Sequence, residues 1–69
     1  MPNLKWANSD EIGFQLHQKF PAVDPLQIRF TDLRQWVLEL DEFSDTREAS
    51  SEKALEAIQM AWLEYFRDE

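Results

Sequence analysis

Residues 31–43 read Thr31-Asp32-Leu33-Arg34-Gln35-Trp36-Val37-Leu38-Glu39-Leu40-Asp41-Glu42-Phe43. Leu33, Trp36, Val37 and Leu40 fall at i, i+3, i+4 and i+7, the spacing of a helix that buries one stripe. Thr31 is placed to cap this helix and Phe43 closes its apolar run. With the helix drawn from Asp32 to Glu42 at about 100° per residue, Asp32, Gln35, Glu39 and Glu42 form a second stripe off the apolar face. Asp41 points more nearly opposite, beside Arg34. One segment therefore supplies both a piece of core and a charged outer face.

Upstream, Asn8 reads as an N-cap with Glu11 at N3, the capping-box pattern. The helix that follows carries Ile12, Leu16 and Phe20 on one face and stops at Pro21. Asp24-Pro25 reads as an N-cap followed by proline at N1, opening a short helical turn through about Ile28. Downstream, residues 44–50 form a polar loop. Ser50 or Ser51 then caps the longest helix, which runs to about Arg67 and buries Ala54, Leu55, Ile58, Trp62, Tyr65 and Phe66. Minimal strands are expected at most, at Leu4–Trp6 and Ile28–Phe30. The expected fold is mainly α, a single domain over 1–69 with three to four helices.

The chain has 69 residues, 14 Asp/Glu against seven Lys/Arg, and a net charge of −7. Much of the acid lies between Glu39 and Asp45 and continues to Glu48. Such a surface repels nucleic acid and anionic lipid and attracts cations and basic protein patches. A chain this small buries only about 60% of its unfolded surface. With no cysteine, it has no disulfide, thiol nucleophile or thiolate metal site. Its three Trp and five Phe supply core mass instead. No stretch approaches the roughly 18 apolar residues of a membrane span and residues 1–12 hold no apolar run, so cytoplasmic residence is the expectation. Nothing in the pattern demands more than a monomer.

Glu39, Asp41 and Glu42 stand near a helix C-terminus, where carboxylates oppose the macrodipole at a few tenths of a kcal/mol each. Something besides local helix stability keeps them there. One reading is docking on a basic partner and another is a divalent cation site. Asp32 and Glu39 lie roughly 10 Å apart along a helix axis, too far to share one ion. Glu39 with Glu42, or Asp41 with Asp45, is better placed for an open, largely water-coordinated and weak site. The glycine and ligand spacing of an EF-hand is missing. His17, the only histidine, reads as a surface or boundary residue. Phe14 leaves the Ile12/Leu16/Phe20 face and either packs under a terminus or offers an exposed apolar contact. Trp36 and Trp62 read as core, and the Glu52/Glu56 pair as a solvated face. No glycine-rich phosphate loop, nucleophile elbow or paired-carboxylate motif stands out, so no enzyme activity is expected.

Several segments together resemble the IscX (YfhJ) family of small acidic proteins of bacterial iron–sulfur cluster assembly. They are Leu4-Lys5-Trp6, Asp10-Glu11-Ile12-Gly13, Asp24-Pro25, Arg29-Phe30-Thr31-Asp32-Leu33 with Gln35-Trp36, and Glu52-Lys53-Ala54-Leu55-Glu56-Ala57-Ile58 with Trp62-Leu63. The resemblance covers nearly the whole chain in order. It implies a modified winged-helix fold, with the helix from Thr31 in the position that reads DNA in other winged helices. It also implies docking on the cysteine desulfurase IscS at a basic surface for which bacterial frataxin competes, and weak Fe²⁺ binding with no required cofactor. Family members are discussed as regulators of the desulfurase or as Fe²⁺ donors to the assembly complex. Mapped by position, the acidic surface comprises Asp32, Glu39, Asp41, Glu42, Asp45 and Glu48; Gln35 joins it on the helix stripe. Two features depart from the family pattern. Ser44, Thr46 and Arg47 interrupt the acidic run, and Arg34 stands where histidine is common. Both weigh toward docking, which needs a summed field, over iron, which needs a coordination shell. Nucleic acid is excluded as partner because Asp32, Glu39, Asp41 and Glu42 outnumber Arg34 on the would-be reading helix.

Overall fold

A computed structural model describes residues 4–68. Three α-helices follow in order: α1 Ser9–Lys19, α2 Phe30–Leu38 and α3 Glu52–Asp68, with 3-10 turns at Pro25–Gln27 and Arg47–Ala49. The mainly α reading holds, and no named strand occurs among the described residues. The expected strand at Leu4–Trp6 is reduced to an isolated parallel bridge between Leu4 and Phe43. Ile28–Phe30 forms none, because Phe30 already begins α2.

Helix α1 starts after Asn8, but not through a capping box. The Asn8 side chain makes no cap hydrogen bond; its Oδ1 instead accepts from the Lys5 N–H at 2.9 Å. That bond closes the preceding turn in place of a helix cap. At the other end, Phe20 leaves the helical region with φ −130°, as the residue before a proline is pressed to do. Asp24 caps the first 3-10 turn as expected, its Oδ1 accepting from Leu26 N–H at 3.0 Å. Ser51, rather than Ser50, caps α3 through its Oγ and the Ala54 N–H at 3.1 Å.

Helix α2 differs from the sequence reading at both ends. It begins one residue before Thr31, with Arg29 at the N-cap and no side-chain cap bond. Phe30 packs against the core, which draws the first turn inward and leaves Thr31 exposed within it. The helix ends at Leu38, with Glu39 as C-cap, so Asp41 and Glu42 lie in a turn beyond it. The last turn tightens, Leu40 N–H donating to the Val37 carbonyl at 3.1 Å, as helix ends commonly do, and tertiary bonds hold the chain beyond it. The Glu42 carbonyl accepts from Leu4 N–H and the Ser44 N–H donates to the Leu4 carbonyl, both at 2.9 Å. These bonds hold Glu42 and Ser44 beside Leu4, so the acidic run does not continue as helix.

One core joins Leu4, Trp6, Ile12, Leu16, Leu33, Val37, Leu40, Leu55, Ile58 and Trp62. Trp36 is half-buried at its edge, stacked on Phe20 at 4.5 Å and tilted against Trp62 at 6.2 Å. On α3, Leu63 is buried, whereas Ala54, Tyr65 and Phe66 are only half-buried. His17 is not a surface residue: it is 4% exposed. The inward stripe of α1 is wider than Ile12/Leu16/Phe20 because Gly13, with no side chain, lets α3 approach, and His17 lies one turn further along that approach. Phe14 is 39% exposed and rests edge-on against Tyr65 at 5.4 Å.

Candidate docking surface

The acidic residues occupy three structural settings. Asp32 and Gln35 lie on the solvent side of α2, and Glu39 at its end, all exposed. Gln35 Nε2 donates to Glu39 Oε2 at 3.0 Å, so these two side chains meet one turn apart. Asp41 is exposed and Glu42 half-buried in the turn after α2. The Glu42 Oε1 accepts from Gln15 Nε2 of α1 at 3.2 Å, a neighbour that the periodicity of residues 31–43 alone does not reveal. Glu48 is exposed on the second 3-10 turn.

Asp45 is built differently. Its Oδ1 accepts from Thr46 N–H at 2.8 Å and its Oδ2 from Trp6 N–H at 3.2 Å. These two bonds, Thr46 first and Trp6 second, hold its carboxyl below the usual aspartate range, with the Lys5 charge assisting and lost hydration opposing. The neighbouring Trp6 Nε1–H donates to the Thr46 carbonyl at 2.6 Å, and the Trp6 ring stands edge-on to Phe43 at 4.8 Å. Asp45 thus ties the loop to the N-terminal segment, so it shapes the surface as well as charging it.

Among the described residues no group of three or more His, Asp or Glu side chains converges as a metal site. Glu39 and Glu42 each keep one carboxylate oxygen outside the bonds named above, whereas both Asp45 oxygens are engaged. Arg34, inside α2, has its Nε buried and without a hydrogen-bond partner among the described residues. Among the described residues no helix is long and apolar enough to cross a membrane.

The pattern of the iron–sulphur cluster assembly family matches residues 4–67, a span that includes every acid described above. The chain belongs to that family, the one that contains IscX. An uncharacterized protein of Pseudomonas aeruginosa is 55% identical to it over 62 residues, covering 90% of this chain and 94% of the relative. Family membership assigns the chain a role in iron–sulphur cluster assembly. The matched span begins at Leu4 and includes Trp6, so the contacts that join the N-terminal segment to the acidic loop fall inside the family's own boundaries.

Proposed function

We propose that this protein is a non-catalytic adaptor of iron–sulphur cluster assembly that docks on a basic surface of the cysteine desulfurase IscS. The carrying observation is the exposure of Asp32, Glu39, Asp41 and Glu48 around a loop that Trp6 and Asp45 hold in place. Gln35, Glu42 and Asp45 complete the surface. Each exposed ion pair contributes about 0–1 kcal/mol, so the acids act together. A prearranged field of one sign speeds encounter with a basic patch and disfavours acidic partners. Bacterial frataxin, which uses the same basic surface, competes. The protein works as a cytoplasmic monomer, and the three-helix order is a modified winged helix whose α2 would repel phosphate.

Weak Fe²⁺ binding belongs to the same reading, with Glu39, Asp41 and Glu42 as the carboxylates able to add an oxygen. Asp45, whose oxygens each already accept one backbone N–H, is the most constrained in orientation of the four expected ligands. The alternative role of Fe²⁺ carrier rests on these same oxygens.

The test is affinity for IscS after charge reversal at Glu39, Asp41 and Glu42. Loss of binding with an intact fold is expected. Binding that stays unchanged would sink the surface assignment.

A further inference from the structure

On the side of α2 where Arg34 lies, a half-open cavity of about 500 Å³ is walled by α2, the second 3-10 turn and the start of α3. That volume is within the roughly 300–1,000 Å³ of small-molecule sites. Arg34 and Arg47 both line it, as do Glu48 and Glu52, with Phe30 and Leu55 providing apolar wall. Two of the chain's seven Lys/Arg therefore share one recess in a strongly acidic protein. Among the described residues neither guanidinium is joined to a carboxylate in an ion pair. The Arg34 Nε–H is shut from solvent without an acceptor, a condition that buried donors rarely keep. A ligand carboxylate entering the cavity would give that guanidinium, once turned toward it, the forked acceptor it fits best.

The ligand's net charge is constrained by the rest of the lining. A simple anion would meet Glu48, Glu52 and the field of a chain at −7. A zwitterion carries no net charge and escapes that field. Its ammonium group would be matched by the same two carboxylates, while its carboxylate faces the arginines and the positive end of α3. We infer that this cavity binds a small zwitterion of the free α-amino-acid type, carboxylate on Arg34 and Arg47, ammonium on Glu48 and Glu52, and an apolar side chain against Phe30 and Leu55. The inference does not depend on docking, because it concerns the isolated protein.

The experiment is an NMR titration of the ¹⁵N-labelled full chain with L-leucine. Two isosteres are run beside it: 4-methylpentanoate, which lacks the ammonium, and isopentylamine, which lacks the carboxylate. L-leucine is expected to give saturable shifts of the amides from Arg47 to Leu55, with each isostere binding at least tenfold more weakly. Arg47→Ala and Arg34→Gln are expected to weaken the leucine response at least tenfold while the remaining spectrum stays that of the folded protein. A response to 4-methylpentanoate equal to that for L-leucine overturns the inference in favour of a plain anion site. Shifts that never saturate, or that persist unchanged in Arg47→Ala, overturn it outright.

Discussion

Gly13 of α1 faces the backbone of Trp62 on α3 so closely that a Cβ added to it would stand 2.7 Å from the Trp62 nitrogen and 2.9 Å from the Ala61 Cβ. The obstacle is backbone and a short side chain, neither of which can swing aside. Alanine would gain about 0.8–1.0 kcal/mol of helix propensity. Overpacking of this kind costs about 1–3 kcal/mol. Gly13→Ala is therefore expected to destabilise the fold by about 0–2 kcal/mol net, read as a lowered urea midpoint at constant slope. A midpoint that rises would show that α1 and α3 separate freely.

Trp6 joins the N-terminal segment to the acidic loop through its indole N–H and the Thr46 carbonyl. Trp6→Phe keeps much of the ring packing and removes that donor. A loss of about 0.5–1.5 kcal/mol is expected, with faster amide exchange at Ser44, whose N–H donates to the Leu4 carbonyl. Unchanged exchange there would mean that the bridge holds the loop without the indole.

Asp45 makes the fold acid-sensitive in a definite direction. Its carboxyl titrates below the ordinary value of 3.8, chiefly through the Thr46 and Trp6 N–H groups. Around that value the unfolded chain binds more protons, so stability rises with pH. The contribution of Asp45 is complete above its unfolded pKa and is lost as pH falls through its lower folded pKa. Asp45→Asn is expected to lower stability at pH 7 and to flatten the acid limb, as followed by urea unfolding between pH 2 and pH 7. Parallel curves for the two proteins would refute this role.

The Ser51 hydroxyl meets the Ala54 N–H at the start of α3. Removing an N-cap of this kind costs about 0.5–2 kcal/mol, so Ser51→Ala is expected to lower the thermal midpoint, whereas Ser50→Ala is not. Calorimetry on the two variants separates the candidates that adjacent serines present.

Docking through a summed field predicts a salt dependence. Association with IscS is expected to slow as ionic strength rises, because the Debye length falls to about 8 Å at physiological salt. Dissociation should change less. Stopped-flow measurement across a salt series checks this, and an association rate independent of salt would remove the electrostatic basis of the proposal.

Local sequence carried the mainly helical fold, the apolar face of α2, the Leu55, Ile58 and Trp62 part of the α3 face, the Asp24-Pro25 turn and the acid concentrated after Leu38. Those features follow from periodicity, proline and capping chemistry, which act over a few residues. The family, too, was legible in ordered short segments. The tertiary structure decided the path of the acidic run beyond α2, because the groups that Glu42 and Ser44 bond belong to Leu4. It also decided that Asp45 is a tie as well as a charge, since its partner Trp6 lies 39 positions away. His17 shows the same limit. Its place on the helix was readable, but its burial depends on α3 approaching at Gly13. The meeting of Arg34 and Arg47 is likewise a product of folding: residues on different elements share a cavity only once the core has fixed both, and no local pattern encodes that distance.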